Sequence, residues 1–262
     1  MSSQPAHLTK HVPLLSYPLP AAVLSLSQLT DGVSNGTALW LGGQCLAIYL
    51  SQMHKKFSTP TSRRAIELGS GIGLTALALS SLGWDVLATD IPHVIDSVLA
   101  KNITNNLSVL PPGSGIVQVR QLDWSVAPSD WTWDHESTIA SHSLLPPSMA
   151  SPSDLIRPPF DLIISADTVY AADLVDPMLR TLHALSTLSA STAHCPTVLL
   201  CIERRDPLLV DRLLSDAKDK WNFAVERVQH RKLVKAVEKS GAGWTKSDWD
   251  GVELWKLKLR VS

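Results

Sequence analysis

Two stretches of this chain hold residues whose types and spacing could do chemistry. The first is Arg64-Ala65-Ile66-Glu67-Leu68-Gly69-Ser70-Gly71-Ile72-Gly73, with Asp90 seventeen residues past its last glycine. An apolar run ends in Glu67, breaks into three alternating glycines around Ser70, and resumes as the helical pattern Leu74-Thr75-Ala76-Leu77-Ala78-Leu79. A parallel strand hands its chain to a helix in this way across a bound nucleoside. The glycines allow a sharp turn and a close approach of backbone to ligand with no Cβ in the way. The next apolar run, Asp85–Thr89, delivers Asp90 to the adjacent strand end, where a carboxylate can accept both ribose hydroxyls.

The glycine spacing discriminates between cofactors. A dinucleotide site needs a small residue at the end of G-x-G-x-x-G/A so that the helix packs beside the pyrophosphate. Here the run is Gly69-x-Gly71-x-Gly73, and Leu74 stands in that place. Glu67, two residues before the first glycine, is placed to face a cationic amine. Both features favour S-adenosyl-L-methionine, which carries an ammonium and a sulfonium but no phosphate, over NAD(P). The plain alternative is a strand, turn and helix with no ligand.

The second stretch is the pair of later strand ends. Leu122-Asp123-Trp124 sets a carboxylate beside a flat ring, which suits adenine: Asp123 to accept from N6 and Trp124 to pack on the base. A surface acid next to an ordinary Trp is the competing account. Phe160–Ala166 is followed by Asp167-Thr168-Val169-Tyr170, a carboxylate with an aromatic ring one short turn away. That pair suits an incoming amine, one group attracting charge and the other flanking an aliphatic stem. Displacement at a sulfonium needs the neutral amine lone pair in line with the departing sulfur, and positioning supplies much of that effect. Alternatively Asp167 caps a helix starting near Ala171–Asp173 and Tyr170 belongs to the core.

These groups need a sheet to carry them. Strands are expected near 64–68, 85–89, 116–121, 160–166, 196–203, 222–230 and 252–260, and helices near 73–82, 92–106, 173–188 and 206–220. Their alternation argues a doubly wound α/β fold, mostly parallel and covered on both faces. The last two strands read as a terminal antiparallel hairpin with no long helix between them. Residues 1–36 read as an N-terminal tail and extended arm with turns at Asp31-Gly32 and Asn35-Gly36, and 37–262 as the main domain, its first helix lying within Thr37–Ser51. A Ser/Pro-rich insertion at 127–158, in part without fixed structure, carries Trp131 and Trp133, which either pack locally or meet a partner.

Composition narrows the class. At 262 residues, 45% hydrophobic, with 23 basic and 24 acidic side chains, the chain fits one globular α/β domain. Without a basic excess, no nucleic acid is expected as substrate. Cys45, Cys195 and Cys201 are too few and scattered for a disulfide framework, and His194-Cys195 with Cys201 reads as buried strand rather than metal site, so no metal is expected. Pro13, Pro18 and Pro20 interrupt any signal-peptide core, and no run approaches about eighteen apolar residues, so no membrane span is expected. The Asn-x-Ser/Thr triplets at Asn35, Asn102 and Asn106 are then chance matches, and the expectation is a cytoplasmic monomer.

Taken together, Glu67–Gly73, Thr89-Asp90-Ile91-Pro92, Asp123-Trp124 and Asp167-Thr168-Val169-Tyr170 resemble the seven-β-strand protein-lysine methyltransferases of methyltransferase family 16. The likeness is to the group acting on non-histone proteins such as translation elongation factors and chaperones. Asp167-x-x-Tyr170 fits that family's D/E-x-x-Y/F motif; Thr37-Ala38-Leu39-Trp40, Asn102/Asn106 and Glu203-Arg204-Arg205 are similar too. The resemblance spans about residues 22–260. It implies a seven-stranded Rossmann-like sheet, cofactor contacts from Trp40, Gly69–Gly73, Asp90, Trp124 and Ala166, and a target lysine facing Asp167 and Tyr170. Many relatives place an acid straight after the tryptophan, whereas Leu41-Gly42-Gly43-Gln44 follows here. The implied activity is S-adenosylmethionine-dependent N-methylation of lysine on a cytosolic non-histone protein, a translation elongation factor among the candidates. A nicotinamide-like small-amine methyltransferase and a non-catalytic scaffold of the same fold are the alternatives.

Overall fold

Ala65 and Ile66 are adjacent and both fully buried, yet they belong to two separate apolar cores. Successive side chains of a strand point to opposite faces, so a run without polar interruptions must be covered on both sides. In the computed structural model, which describes residues 4–31, 35–53, 63–143, 148, 151–191 and 194–260, that covering is what the helices supply. The strands are β1 (Leu14–Leu19), β2 (Ala22–Ser27), β3 (Arg63–Leu68), β4 (Trp84–Asp90), β5 (Val117–Leu122), β6 (Thr138–Ala140), β7 (Leu162–Ala166), β8 (Thr197–Glu203), β9 (Phe223–Arg227) and β10 (Val252–Leu259). Besides a single helical turn at Ala6–Thr9, the helices are α1 (Leu41–Met53), α2 (Leu74–Ser80), α3 (Pro92–Val94, a π-helical turn Ile95–Leu99, then Ala100–Asn106), α4 (Val175–Ser189), α5 (Pro207–Asp219) and α6 (His230–Ser240).

Eight strands form one sheet in the order β6-β5-β4-β3-β7-β8-β10-β9. β3 to β8 pair in parallel, while β10 runs antiparallel to both β8 and β9. The α1, α2, α3 and α6 side chains pack on one face, and those of α4 and α5 on the other. The doubly wound, mostly parallel sheet with antiparallel strands at its C-terminal end is therefore present. Two details differ from the sequence reading. The eighth strand, β6, comes from the insertion, and the eleven-residue α6 lies between β9 and β10. In α6 only Leu233, Ala236 and Val237 are buried; a narrow apolar stripe among basic residues carries little local signal.

The insertion packs locally. Trp131 meets Trp133 edge-on at 6.2 Å between ring centroids, and Trp133 lies 6.0 Å from Phe160. Beneath it Arg120 is fully buried and donates to Gln118 Oε1 at 2.8 Å. Residues 144–147 and 149–150 of the insertion, and Gly32 of the expected Asp31-Gly32 turn, lie outside the described residues. Among the described residues no helix is long and apolar enough to cross a membrane.

The N-terminal arm is a β1–β2 hairpin that buries Leu15, Tyr17, Leu24 and Leu26 in the α1/α3 core. Among the described residues it has no strand partner in the main sheet. Two buried asparagines of α3 take that place. Asn102 accepts from Ser27 N at 2.8 Å and donates to Ser27 O at 2.8 Å and Ile72 O at 3.0 Å. Asn106 accepts from Ser25 N at 2.8 Å and donates to Ser25 O at 2.9 Å. Each carboxamide thus mimics one residue of a strand. Asn102→Ala strands three backbone groups at about 1–3 kcal/mol for each that stays buried and unmet, so stability should fall by about 3 kcal/mol or more. Urea unfolding should show a lower midpoint at unchanged slope, and an unaltered midpoint would remove this role.

Candidate active site

In an open parallel sheet the ligand crevice lies outside the carboxyl ends of the strands, where the strand order reverses. The order reverses between β3 and β7, and a cavity of about 340 Å³ opens at those ends. Its wall brings together nine of the twelve expected residues: Trp40, Gly69, Gly71, Asp90, Asp123, Trp124, Ala166, Asp167 and Tyr170. Glu67, Ser70 and Gly73 are not on the wall.

The turn explains that split. Gly69, Gly71 and Gly73 have φ of 68°, 55° and 85°, the left-handed region that favours glycine. Gly69 and Gly71 face the cavity, whereas a Cβ on Gly73 would meet Ile103 Cδ1 and Leu99 Cδ1 at 3.0 Å, so Gly73 serves the packing of α2 on α3. Ser70 ties the turn to β4: its N–H donates to Thr89 O at 2.9 Å and its Oγ accepts from Thr89 N at 3.1 Å. Glu67 is 2% exposed and sits beneath the turn by Ser70, Thr75 and Ala76, with Oε2 unpartnered. Burial pushes its carboxyl up to about 8, against the pull of those neighbours. Glu67, expected to face a cationic amine, is buried beside the turn and is not among the residues that line the cavity.

Asp90, at the end of β4, accepts from Gly71 N at 2.8 Å through Oδ2 and from Ile91 N at 2.9 Å through Oδ1. Each oxygen keeps a second lone pair for a ligand hydroxyl. Asp123 uses Oδ1 for Ser125 N at 2.9 Å and Ser125 Oγ at 2.6 Å, and Trp124 is held from behind by Arg180 Nη2, which donates to its carbonyl at 2.7 Å.

Asp167 has φ of 53°, unusual for a residue with a Cβ. Its Oδ2 accepts from Gly42 N and its Oδ1 from Glu203 N, both at 2.7 Å. Burial raises its carboxyl above the ordinary range, opposed by those two bonds and by the Arg205 charge. It caps no following helix: the residue before the turn at Ala172–Leu174 is Ala171, and no side chain bonds there. Asp167 instead joins the end of β8 to the start of α1. Tyr170 is 56% exposed at the mouth. Trp40 donates from Nε1 to Asn35 O and carries two cations on its ring, Lys10 Nζ 3.4 Å and Arg205 Cζ 4.5 Å from the centroid.

Sequence reasoning missed Asn35, Gly36, Thr168, Asp173 and Arg205 on the wall. Arg205 had a signal in the run Glu203-Arg204-Arg205 at a strand end, Asn35 and Gly36 in their turn dipeptide, and Thr168 in the Asp167-x-x-Tyr170 motif. Among the described residues no cluster of His, Cys, Asp or Glu could hold a metal ion.

The model of the family described as lysine methyltransferase matches residues 19–143. Methyltransferase-like protein 22 of Homo sapiens is 26% identical over 239 residues, 85% of this chain and 54% of that protein. Protein-lysine methyltransferase METTL21E of Mus musculus is 29% identical over 159 residues, 60% of this chain and 55% of that protein. EEF1A lysine methyltransferase 3 of Xenopus tropicalis is 28% identical over 156 residues, 59% of this chain and 55% of that protein. The chain thus spans about half the length of these relatives.

Burial lifts the Asp90 carboxyl to about 6, against its bonds from Gly71 and Ile91. The ionised form, dominant above that pH, is the better acceptor for ribose hydroxyls. Affinity for S-adenosylhomocysteine should therefore be flat above about pH 7 and fall as pH drops through 6, by up to about tenfold per pH unit. Calorimetry across pH 5–8 checks this, and Asp90→Asn should bind weakly with no such step.

Proposed function

From the match of residues 19–143 to the lysine methyltransferase family model, we propose that the chain is an S-adenosylmethionine-dependent protein-lysine N-methyltransferase acting on a cytosolic non-histone protein. The observation that carries this reading is the order of groups along one cavity: Asp123 and Trp124, then Asp90, then Gly69 and Gly71, then Ala166 and Asp167, with Tyr170 at the mouth. That order matches adenine, ribose, sulfur and incoming amine. The donor set fits the cofactor: carboxylates for a diol and an exocyclic amine, a ring for a base, and side-chain-free backbone at the turn. S-adenosylmethionine supplies an electrophilic methyl group on a sulfonium.

The chain's own residues do the rest by binding and orienting. Asp90 accepts the ribose hydroxyls, while Asp123 and Trp124 hold adenine. Asp167 fixes the floor of the transfer site through its two amides and adds negative charge beside the amine path. The Tyr170 ring flanks the lysine stem and narrows its approach toward an in-line geometry, which is where most of the rate enhancement would come from. The exposed mouth lets the ammonium lose its proton to water before transfer. A rim this open, with Tyr170 and Asp173 both exposed, suits an amine on a protein surface better than a free small amine. The name of the Xenopus relative makes a translation elongation factor a candidate target.

Incubating the protein with tritiated S-adenosylmethionine and cytosolic extract tests this reading. Label in a protein band supports it; label in small molecules favours a small-amine methyltransferase; none favours a scaffold. Asp167→Asn should also lower stability, because the carboxamide N–H₂ must face one of two N–H donors, and should cut transfer roughly a hundredfold. Tyr170→Phe should keep most of the activity. Full transfer by Asp167→Asn would remove Asp167 from the site.

A further inference from the structure

The cavity wall is electrically lopsided. Four carboxylates line it, those of Asp90, Asp123, Asp167 and Asp173, against one cationic side chain among the described residues, Arg205. Arg205 follows β8, two strands from the glycine turn, on the side away from Asp123 and Trp124. Its guanidinium lies 4.5 Å from the Trp40 ring centroid, with Nε 3.4 Å from Glu203 Oε2, and its side chain remains 45% exposed.

A second cation shares that ring. Lys10 Nζ is 3.4 Å from the Trp40 centroid and donates to Leu39 O at 2.5 Å. The N-terminal segment is strapped in place by two buried glutamines. Gln44 Oε1 accepts from Ala6 N at 2.7 Å, and Gln28 Nε2 donates to Thr9 O at 2.5 Å. Burial and the Arg205 charge lower the Lys10 ammonium to about 8, with Asp167 and Glu203 pulling the other way. Two like charges are thus braced on one indole, with the Asp167 and Glu203 carboxylates beside them and only Arg205 of the pair on the cavity wall.

Resting on the cofactor reading above, we infer that Arg205, braced on Trp40 beside Lys10, holds the carboxylate of the cofactor's amino-acid end. The strand order sets the address. With adenine at β5 and ribose at β4, the amino-acid end extends past the glycine turn of β3 and past β7 toward β8, where Arg205 waits. A planar guanidinium presents paired N–H donors to a carboxylate, and stacking on an indole fixes that plane before the ligand arrives.

Two ligands that differ only at this end give the test. S-adenosylhomocysteine carries the carboxylate, whereas 5′-methylthioadenosine keeps adenosine and sulfur but has no amino-acid end. By calorimetry on the full chain, Arg205→Met should weaken S-adenosylhomocysteine about 10- to 100-fold, the range for a charge-assisted contact, and leave 5′-methylthioadenosine unchanged. Arg205→Lys should fall between, since an ammonium is not a planar fork. Equal weakening of both ligands would overturn the inference and make Arg205 a support of the pocket as a whole. Unchanged S-adenosylhomocysteine affinity with reduced methyl transfer would also overturn it, assigning Arg205 to the protein substrate. Failure of the unmutated chain to bind either ligand would instead bring down the cofactor reading itself, and the inference with it.

Discussion

The carboxylate of Asp167 is the tie on which the site depends. It accepts from the amide that begins α1 and from the amide that ends β8, both at 2.7 Å. A left-handed backbone at a residue with a Cβ costs about 1–3 kcal/mol. Two hydrogen bonds to a charged acceptor, at about 1.5–3 kcal/mol each, offset it. The bond to Gly42 is possible only because that residue has no side chain: a Cβ there would stand 2.6 Å from Asp167 Oδ2. So Gly42, the first of the two glycines that follow Trp40-Leu41, is a requirement of contact with a residue 125 positions away. Trp40, two residues before Gly42, and Arg205, two residues beyond Glu203, both line the cavity next to that tie.

What the sequence made legible follows from where the signals are local. A parallel strand buried on both faces leaves an unbroken apolar run, and the turn after it must bring φ positive, which glycine marks. Hence β3, β4, β7 and β8, the glycine turn and Asp90 were all readable. The helix α3 was readable in extent, although its π-helical turn at Ile95–Leu99 was not, since no residue type announces one extra residue per turn. The β1–β2 hairpin was less so. Its partners are Asn102 and Asn106, some 75 to 81 positions away, and nothing in Leu24-x-Leu26 reveals that side-chain amides will complete its hydrogen bonding. Three-residue β6 and the sparsely apolar α6 lack enough periods to stand out.

Glu67 marks another limit. Its position before the glycines was clear, but a strand residue's face depends on which side of the sheet the turn exits. Here the carboxyl goes under the turn, beside the first residues of α2, rather than toward the cavity. Raised to about 8, it is mostly protonated at neutral pH and adds little charge there.

The polarity of the cavity then follows from the order of the strands rather than from any single residue. Each carboxyl end contributes one group: Asp123 from β5, Asp90 from β4, bare backbone from β3, Asp167 from β7 and the Arg205 guanidinium beyond β8. Neighbouring strands are about 4.8 Å apart, so these groups form a graded row about four such steps long. Carboxylates flank the uncharged turn on both sides, Asp123 and Asp90 on one and Asp167 on the other, and Arg205, the one cationic side chain on the wall among the described residues, stands at the far end. A ligand that is itself graded, with hydroxyls and an exocyclic amine at one end and a carboxylate at the other, fits in one direction only. On the reading proposed above, that direction would put its sulfur near the turn. The one-way fit is a property of sheet topology, because exchanging any two strands would scramble the row while leaving every residue in the chain unchanged.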